Sequence, residues 1–134
     1  MPDSKQDASP MVYIATDPDA DLNTSVGDGQ CVAYVKKAAK TPASSLWAEG
    51  EHVRGADLQR GTAIATFQDR EYKNATNGTS HAAIYLGQDG KGIQVHDQWV
   101  KKGGERHVVQ PRTIRFKGGK GLPVDDGDAY SVIA

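Results

Sequence analysis

The stretch Gly27-Asp28-Gly29-Gln30-Cys31-Val32-Ala33-Tyr34-Val35-Lys36-Lys37-Ala38-Ala39 limits the architecture more than any other part of the chain. Two glycines and an aspartate interrupt regular structure, and directly after them Val32, Tyr34, Val35, Ala38 and Ala39 recur at helical rather than alternating spacing. Cys31, the chain's only cysteine, is therefore expected at a helix start. Free backbone N–H groups and the positive end of the helix dipole meet there, and both favour an anion such as a thiolate. One cysteine excludes an internal disulfide, so stability must come from packing.

Thr41-Pro42 should end this helix, and Ser44-Ser45-Leu46-Trp47 reads as a short capped turn with Trp47 in the core. From Gly61 the pattern changes to strands. Thr62 to Phe67 is β-rich, Gln68 to Ser80 is a polar loop, and a hairpin follows. Its arms are His81 to Leu86 and Ile93 to Trp99, around a turn at Asp89-Gly90. Further strands are expected at Arg112 to Phe116 and Tyr130 to Ile133, with a glycine loop from Gly118 to Gly121 between them. A helix followed by an antiparallel sheet is an α+β arrangement. The 134 residues fit one domain, 1–134, in which 1–26 is a largely extended lead-in with one apolar piece, Met11 to Ile14.

A net charge of −1 argues against general nucleic-acid binding, and no apolar run approaches membrane-spanning length. The polar beginning, Met1 to Asp7, lacks the form of a signal peptide, so synthesis in the cytoplasm and export by another route are expected. Charge is uneven. Asp3, Asp7, Asp17, Asp19, Asp21 and Asp28 face only Lys5 through Gly29, whereas Lys101, Lys102, Arg106, Arg112, Arg115, Lys117 and Lys120 face only Glu105 later on. Solvated faces and guarded edge strands explain this runs-of-charge pattern. Asp17, Asp19 and Asp21 make a poor calcium loop, because Leu22 stands where glycine is needed. No Cys-x-x-Cys or His-x-x-x-His pair is present, so neither a metal nor another cofactor is expected.

A free thiol of pKa about 8.5 is only slightly ionised at neutral pH, and a helix end contributes roughly 0.3 to 1 kcal/mol, under one pKa unit. Activating Cys31 therefore takes a second group that accepts the proton and stays beside the sulfur as a cation, usually an imidazole. His81 begins a strand, on one face with Ala83 and Tyr85, and the small Ala83 would let the Cys31 helix pack closely over that face. On the next strand Asp97 shares a face with Ile93 and Val95, while His96 shares the other with Gln94 and Gln98. An odd hairpin loop brings Asp97 to His81 as the group that orients the ring. An even loop brings His96 or Gln98.

Gly29 to Val35, Gly61 to Phe67, Ser80 to Gly87 and Ile93 to Trp99 resemble, in order and style, the CHAP and NlpC-type cysteine peptidases. The resemblance spans about residues 27 to 99. It implies a papain-like α+β fold, a helix carrying Cys31 packed on an antiparallel sheet, and hydrolysis of amide bonds in the peptide part of bacterial peptidoglycan. It also implies nucleophile and base roles for Cys31 and His81 and a third polar residue on the following strand. Asp97 fits the CHAP-like acidic position, whereas NlpC-type enzymes more often use His there, which keeps His96 in view. Ser25 and Val26 occupy the region where papain-like enzymes carry an oxyanion-binding Gln, so the second oxyanion donor is open.

Single-domain amidases of this kind further resemble wall-degrading effectors that bacteria inject into competitors by type VI secretion. That likeness implies a monomer acting in the periplasm of target cells, an immunity protein as partner, and no nucleic-acid or membrane partner. Two other classes stand beside this reading: a non-catalytic binding module that kept the fold, and a related acyltransferase.

Overall fold

A computed structural model describes residues 12–134. The start of the expected lead-in, including Met11 of its apolar piece, lies outside the described residues. Helix α1 covers Cys31–Ala39. The strands are β1 (Glu49–His52), β2 (Ala63–Thr66), β3 (Ala82–Gln88), β4 (Gly92–Val100), β5 (Arg106–Arg115) and β6 (Tyr130–Ile133). They form one antiparallel six-stranded sheet in the order β1-β6-β2-β3-β4-β5, so the fold is one α-helix packed on an antiparallel sheet. Among the described residues no helix is long and apolar enough to cross a membrane.

Helix α1 buries Cys31, Tyr34, Val35 and Ala39, a stripe at helical spacing. Lys36 and Lys37 lie in its last turn, where cations suit the dipole, and Lys40 closes it in the left-handed region at φ 59°. The stripe packs on Ala63, Ala65, Ala82 and Ile84. Three alanines in that patch let the helix approach the sheet closely. This corrects the expected face: Ala83 and Tyr85 belong to the opposite core with Ile64, Ile93, Val95, Ile114 and Tyr130. Alternation had grouped the residues properly but could not say which group the helix covers.

One strand escaped the sequence and another starts earlier than expected. Residues 49–52 read Glu-Gly-Glu-His, with no apolar alternation, and pair along β6 largely exposed. Strand β5 begins at Arg106, well before the expected Arg112, and contains Pro111. Proline is tolerated there because β5 is an edge strand, where an N–H can be dispensed with.

The lead-in crosses the helix side of the sheet. Ala15 donates to the Gly61 carbonyl, Ala63 donates to the Tyr13 carbonyl, Asn23 donates to the carbonyl of Val109 on β5, and the Val109 N–H donates to the Thr24 carbonyl. Asp17, Asp19 and Asp21 serve the fold: Asp17 Oδ1 accepts from the Asp19 N–H, Asp19 pairs with Arg60 and Asp21 with Lys37.

Candidate active site

The loop before α1 is shaped by Gly27 and Gly29, at φ 58° and 86°, values that only glycine adopts at little cost. A Cβ on Gly29 would also lie 2.9 Å from Arg106 Cδ. Gln98, fully buried on β4, holds this loop from below. Its Oε1 accepts from the Val26 N–H at 2.8 Å, and its Nε2 donates to the carbonyls of Val26 at 2.9 Å and Gln30 at 2.8 Å. Sequence reading placed Gln98 only as a competitor for the histidine. Gln98→Leu is expected to orphan three backbone groups, lowering stability by about 3 kcal/mol in chemical denaturation and loosening the presentation of Cys31.

His81 stands one residue before β3. Thr66 fixes its backbone, donating its N–H to the His81 carbonyl and accepting the His81 N–H at Oγ1, both at 3.0 Å. The ring's Nε2 donates to Asp97 Oδ2 at 2.8 Å. Nδ1 is thereby the nitrogen left for Cys31, whose thiol is near enough for its charge to raise the ring's pKa. The helix reaches His81 although it covers the other face of the sheet, because His81 lies at the sheet's end.

The structure brings Asp97 to His81 and takes His96 away. His96 is buried on the lead-in side, its Nδ1 hydrogen-bonded with the Pro18 carbonyl at 2.8 Å. The turn itself is even, since Gln88 faces Ile93 across Asp89 to Gly92. A bulge between Tyr85 and Gly87 then shifts the register, so that Tyr85 faces Val95 and Ile84 faces His96. That shift does the work expected of an odd loop.

Arg112 was read as one charge in a basic run, yet it completes the site. It lies opposite Val95, one pleat from Asp97, and donates from Nε to Asp97 Oδ2 at 2.9 Å, with Nη2 2.7 Å from the same oxygen as an ion pair. Its guanidinium sits 5.1 Å over the Trp99 ring, which stacks on His107 at 3.8 Å. Only the strand register reveals this pairing. Asp97 is fully buried; burial pushes its carboxyl up, but the hydrogen bond and charge of His81, then Arg112, hold it below the usual carboxylate range.

The same competition decides the other two groups. Burial disfavours a charged His81, but its bonds to Asp97 and Cys31 raise its pKa to about 9. Burial pushes the Cys31 thiol up, and the hydrogen bond and charge of His81, with a smaller contribution from Tyr72, bring it below its ordinary value. Each ion stabilises its neighbour, which favours the thiolate and the imidazolium together. Cys31 opens into a hollow of about 330 Å³ that includes Gln30, Tyr72, Thr76 and Ser80. His81 faces a second hollow with Trp99, Arg112, Val124 and Asp125. The Cys31 thiol and the His81 ring thus each border a hollow of their own.

Residues 9–133 match the family model described as domesticated amidase effector 2. The chain belongs to the domesticated amidase effector 2 family. It is 37% identical over 87 residues to the type VI secretion amidase effector 2 protein of Salmonella typhi, across 64% of this chain and 61% of that one. It thus spans about three fifths of that relative's length. It is 35% identical over 109 residues to domesticated amidase effector 2 of Ixodes scapularis, across 78% of this chain and 70% of the other. The solved structure of type 6 secretion amidase effector 2 superposes with a TM-score of 0.74 at 32% identity, covering 90% of this chain and 93% of that one. In this member of the domesticated amidase effector 2 family, Cys31, His81 and Asp97 all fall within the matched range.

Proposed function

We propose that this chain is a papain-like cysteine amidase that hydrolyses amide bonds in the peptide part of bacterial peptidoglycan, acting as an antibacterial effector. One observation carries the chemistry: a thiol at a helix start, lowered in pKa by a histidine whose far nitrogen is bound to a buried carboxylate. Membership of an amidase effector family supports the reaction class. The resemblance of the Cys31 and His81 segments to CHAP and NlpC-type peptidases supports the wall peptide as substrate.

In this mechanism the Cys31 thiolate attacks the carbonyl carbon, and the carbonyl electron pair moves onto oxygen. The oxyanion is held by the Cys31 N–H, one of the unpaired donors of the helix start. Imidazolium His81 gives its proton to the leaving nitrogen as the C–N bond breaks. Water then adds to the thioester with His81 as base, and the released acid restores the thiolate. Asp97 keeps the ring turned toward the sulfur, and Arg112 keeps Asp97 charged.

The reading extends to delivery into the periplasm of target cells and to an immunity protein in producing cells, as for effectors of the type the Salmonella typhi relative's name describes. The test is digestion of purified peptidoglycan with mass spectrometry of the products. Each cleavage should leave one new amine and one new carboxyl group, and intact wall after prolonged incubation would overturn the reading. Added amine appearing in the products would instead indicate acyl transfer.

A further inference from the structure

The mechanism above has one N–H at the oxyanion, and removal of a single such donor typically costs about 100-fold or more in rate, so sites of this kind use more than one. Tyr72 is placed to be the second. Its hydroxyl stands 3.7 Å from Cys31 Sγ, its one side-chain partner among the described residues. Both side chains line the same hollow. With 3.7 Å between them, an oxygen on a carbon bonded to that sulfur has room to lie within the roughly 2.7–3.1 Å reach of the hydroxyl as an oxyanion donor.

The ring is held rather than loose. Trp47 packs on it with centroids 4.8 Å apart, and Phe67 meets it edge-on at 6.3 Å. Just before it, Gln68 and Glu71 exchange backbone hydrogen bonds, both 2.9 Å, around Asp69 and Arg70, which are both at positive φ. Such a turn is costly for these residues and fixes the direction in which the chain leaves it. The rival donor, the Gln30 amide, lines the hollow too, but its side chain is exposed and no hydrogen bond orients it. It would have to be ordered during the reaction, whereas Tyr72 is already in place.

We infer that Tyr72 donates its hydroxyl hydrogen first to the Cys31 thiolate and then, as attack moves the negative charge from sulfur to carbonyl oxygen, to the oxyanion. This assignment rests on the amidase reading. The bond follows the charge over a short distance, no proton leaves the phenol, and burial together with the Cys31 charge keeps the hydroxyl protonated.

The test combines cleavage of purified cross-linked muropeptides with alkylation by iodoacetamide, a displacement at sp³ carbon that forms no oxyanion. Tyr72→Phe should lower kcat about 100-fold with KM within twofold, while the alkylation rate changes by less than about fivefold. Gln30→Ala should lower kcat far less than Tyr72→Phe does, and a loss as large as that of Tyr72→Phe would overturn the assignment. Equal losses in cleavage and alkylation would reduce Tyr72 to a thiolate stabiliser and overturn the assignment, as would undiminished kcat in Tyr72→Phe. Should that variant melt too low to assay, 2,3-difluorotyrosine at position 72 preserves the shape with a more acidic hydroxyl. A donor to the oxyanion must then change kcat below about pH 9, where His81 keeps its proton, while alkylation stays within the same bounds, and an unchanged kcat overturns the assignment. Failure of the unaltered protein to cleave, with rapid alkylation retained, sinks the amidase reading and this assignment together.

Discussion

Cys31→Ala is expected to leave purified peptidoglycan undigested, with a rate at least about 10⁴-fold below that of the unaltered chain, because no other group can form the thioester. The fold should survive, since only a sulfur at the end of a packed stripe is lost, and unchanged circular dichroism would show this. The unaltered thiol supplies the matching observation. Alkylation should rise as pH passes the lowered pKa of Cys31, below the ordinary thiol range, where a thiol buried without a cation would stay inert. Cleavage should fall again above about pH 9, where His81 loses the proton it must deliver. A bell bounded by those two groups is the expected profile. Equal digestion by Cys31→Ala would end the mechanism.

Asp97→Ala should come next in size, with kcat lower by about 10³ to 10⁴. Three consequences coincide. The ring can turn away from the sulfur, the imidazolium loses its partner, and Arg112 is left facing an empty site. Removing one member of a buried pair costs about 3–5 kcal/mol, but the Arg112 side chain is 26% exposed and water can replace part of what it loses, so about 2 kcal/mol is expected here. Asp97→Asn separates the effects. It keeps the volume and a hydrogen-bonding oxygen but removes the charge that raises the histidine, so the alkaline limb of the profile should move to lower pH. A limb that stays in place would mean that Cys31 alone holds the imidazolium.

Much of this site could be read from residues in a row. The glycines before Cys31 and the helical spacing after it located the thiol, whereas the helix packs over Ala63, Ala65 and Ala82 and not over the expected Ala83. What decided between Asp97 and His96 could not be read. A bulge within β3 changes the parity of the hairpin, and the one hint of it, Gly87 inside the strand pattern, does not say by how much the register moves. The same limit hid Arg112, whose partner is defined by register and not by sequence distance. Tyr72 was hidden differently: it follows a tight turn inside a polar stretch that lacks periodicity, and its role depends on three aromatic rings meeting from separate segments. Local chemistry was legible, whereas long-range alignment was not.

Strand β6 lies in the interior of the sheet, between β1 and β2, and its Ser131 bonds Glu49 across 82 positions of chain. A growing polypeptide therefore exposes two unfilled strand edges until residues 130–133 have left the ribosome and swung back between them. Such contacts across long sequence separations slow folding, and open edges invite pairing with foreign chains. Clipping the chain ahead of Tyr130 would leave a cleft through the middle of the molecule.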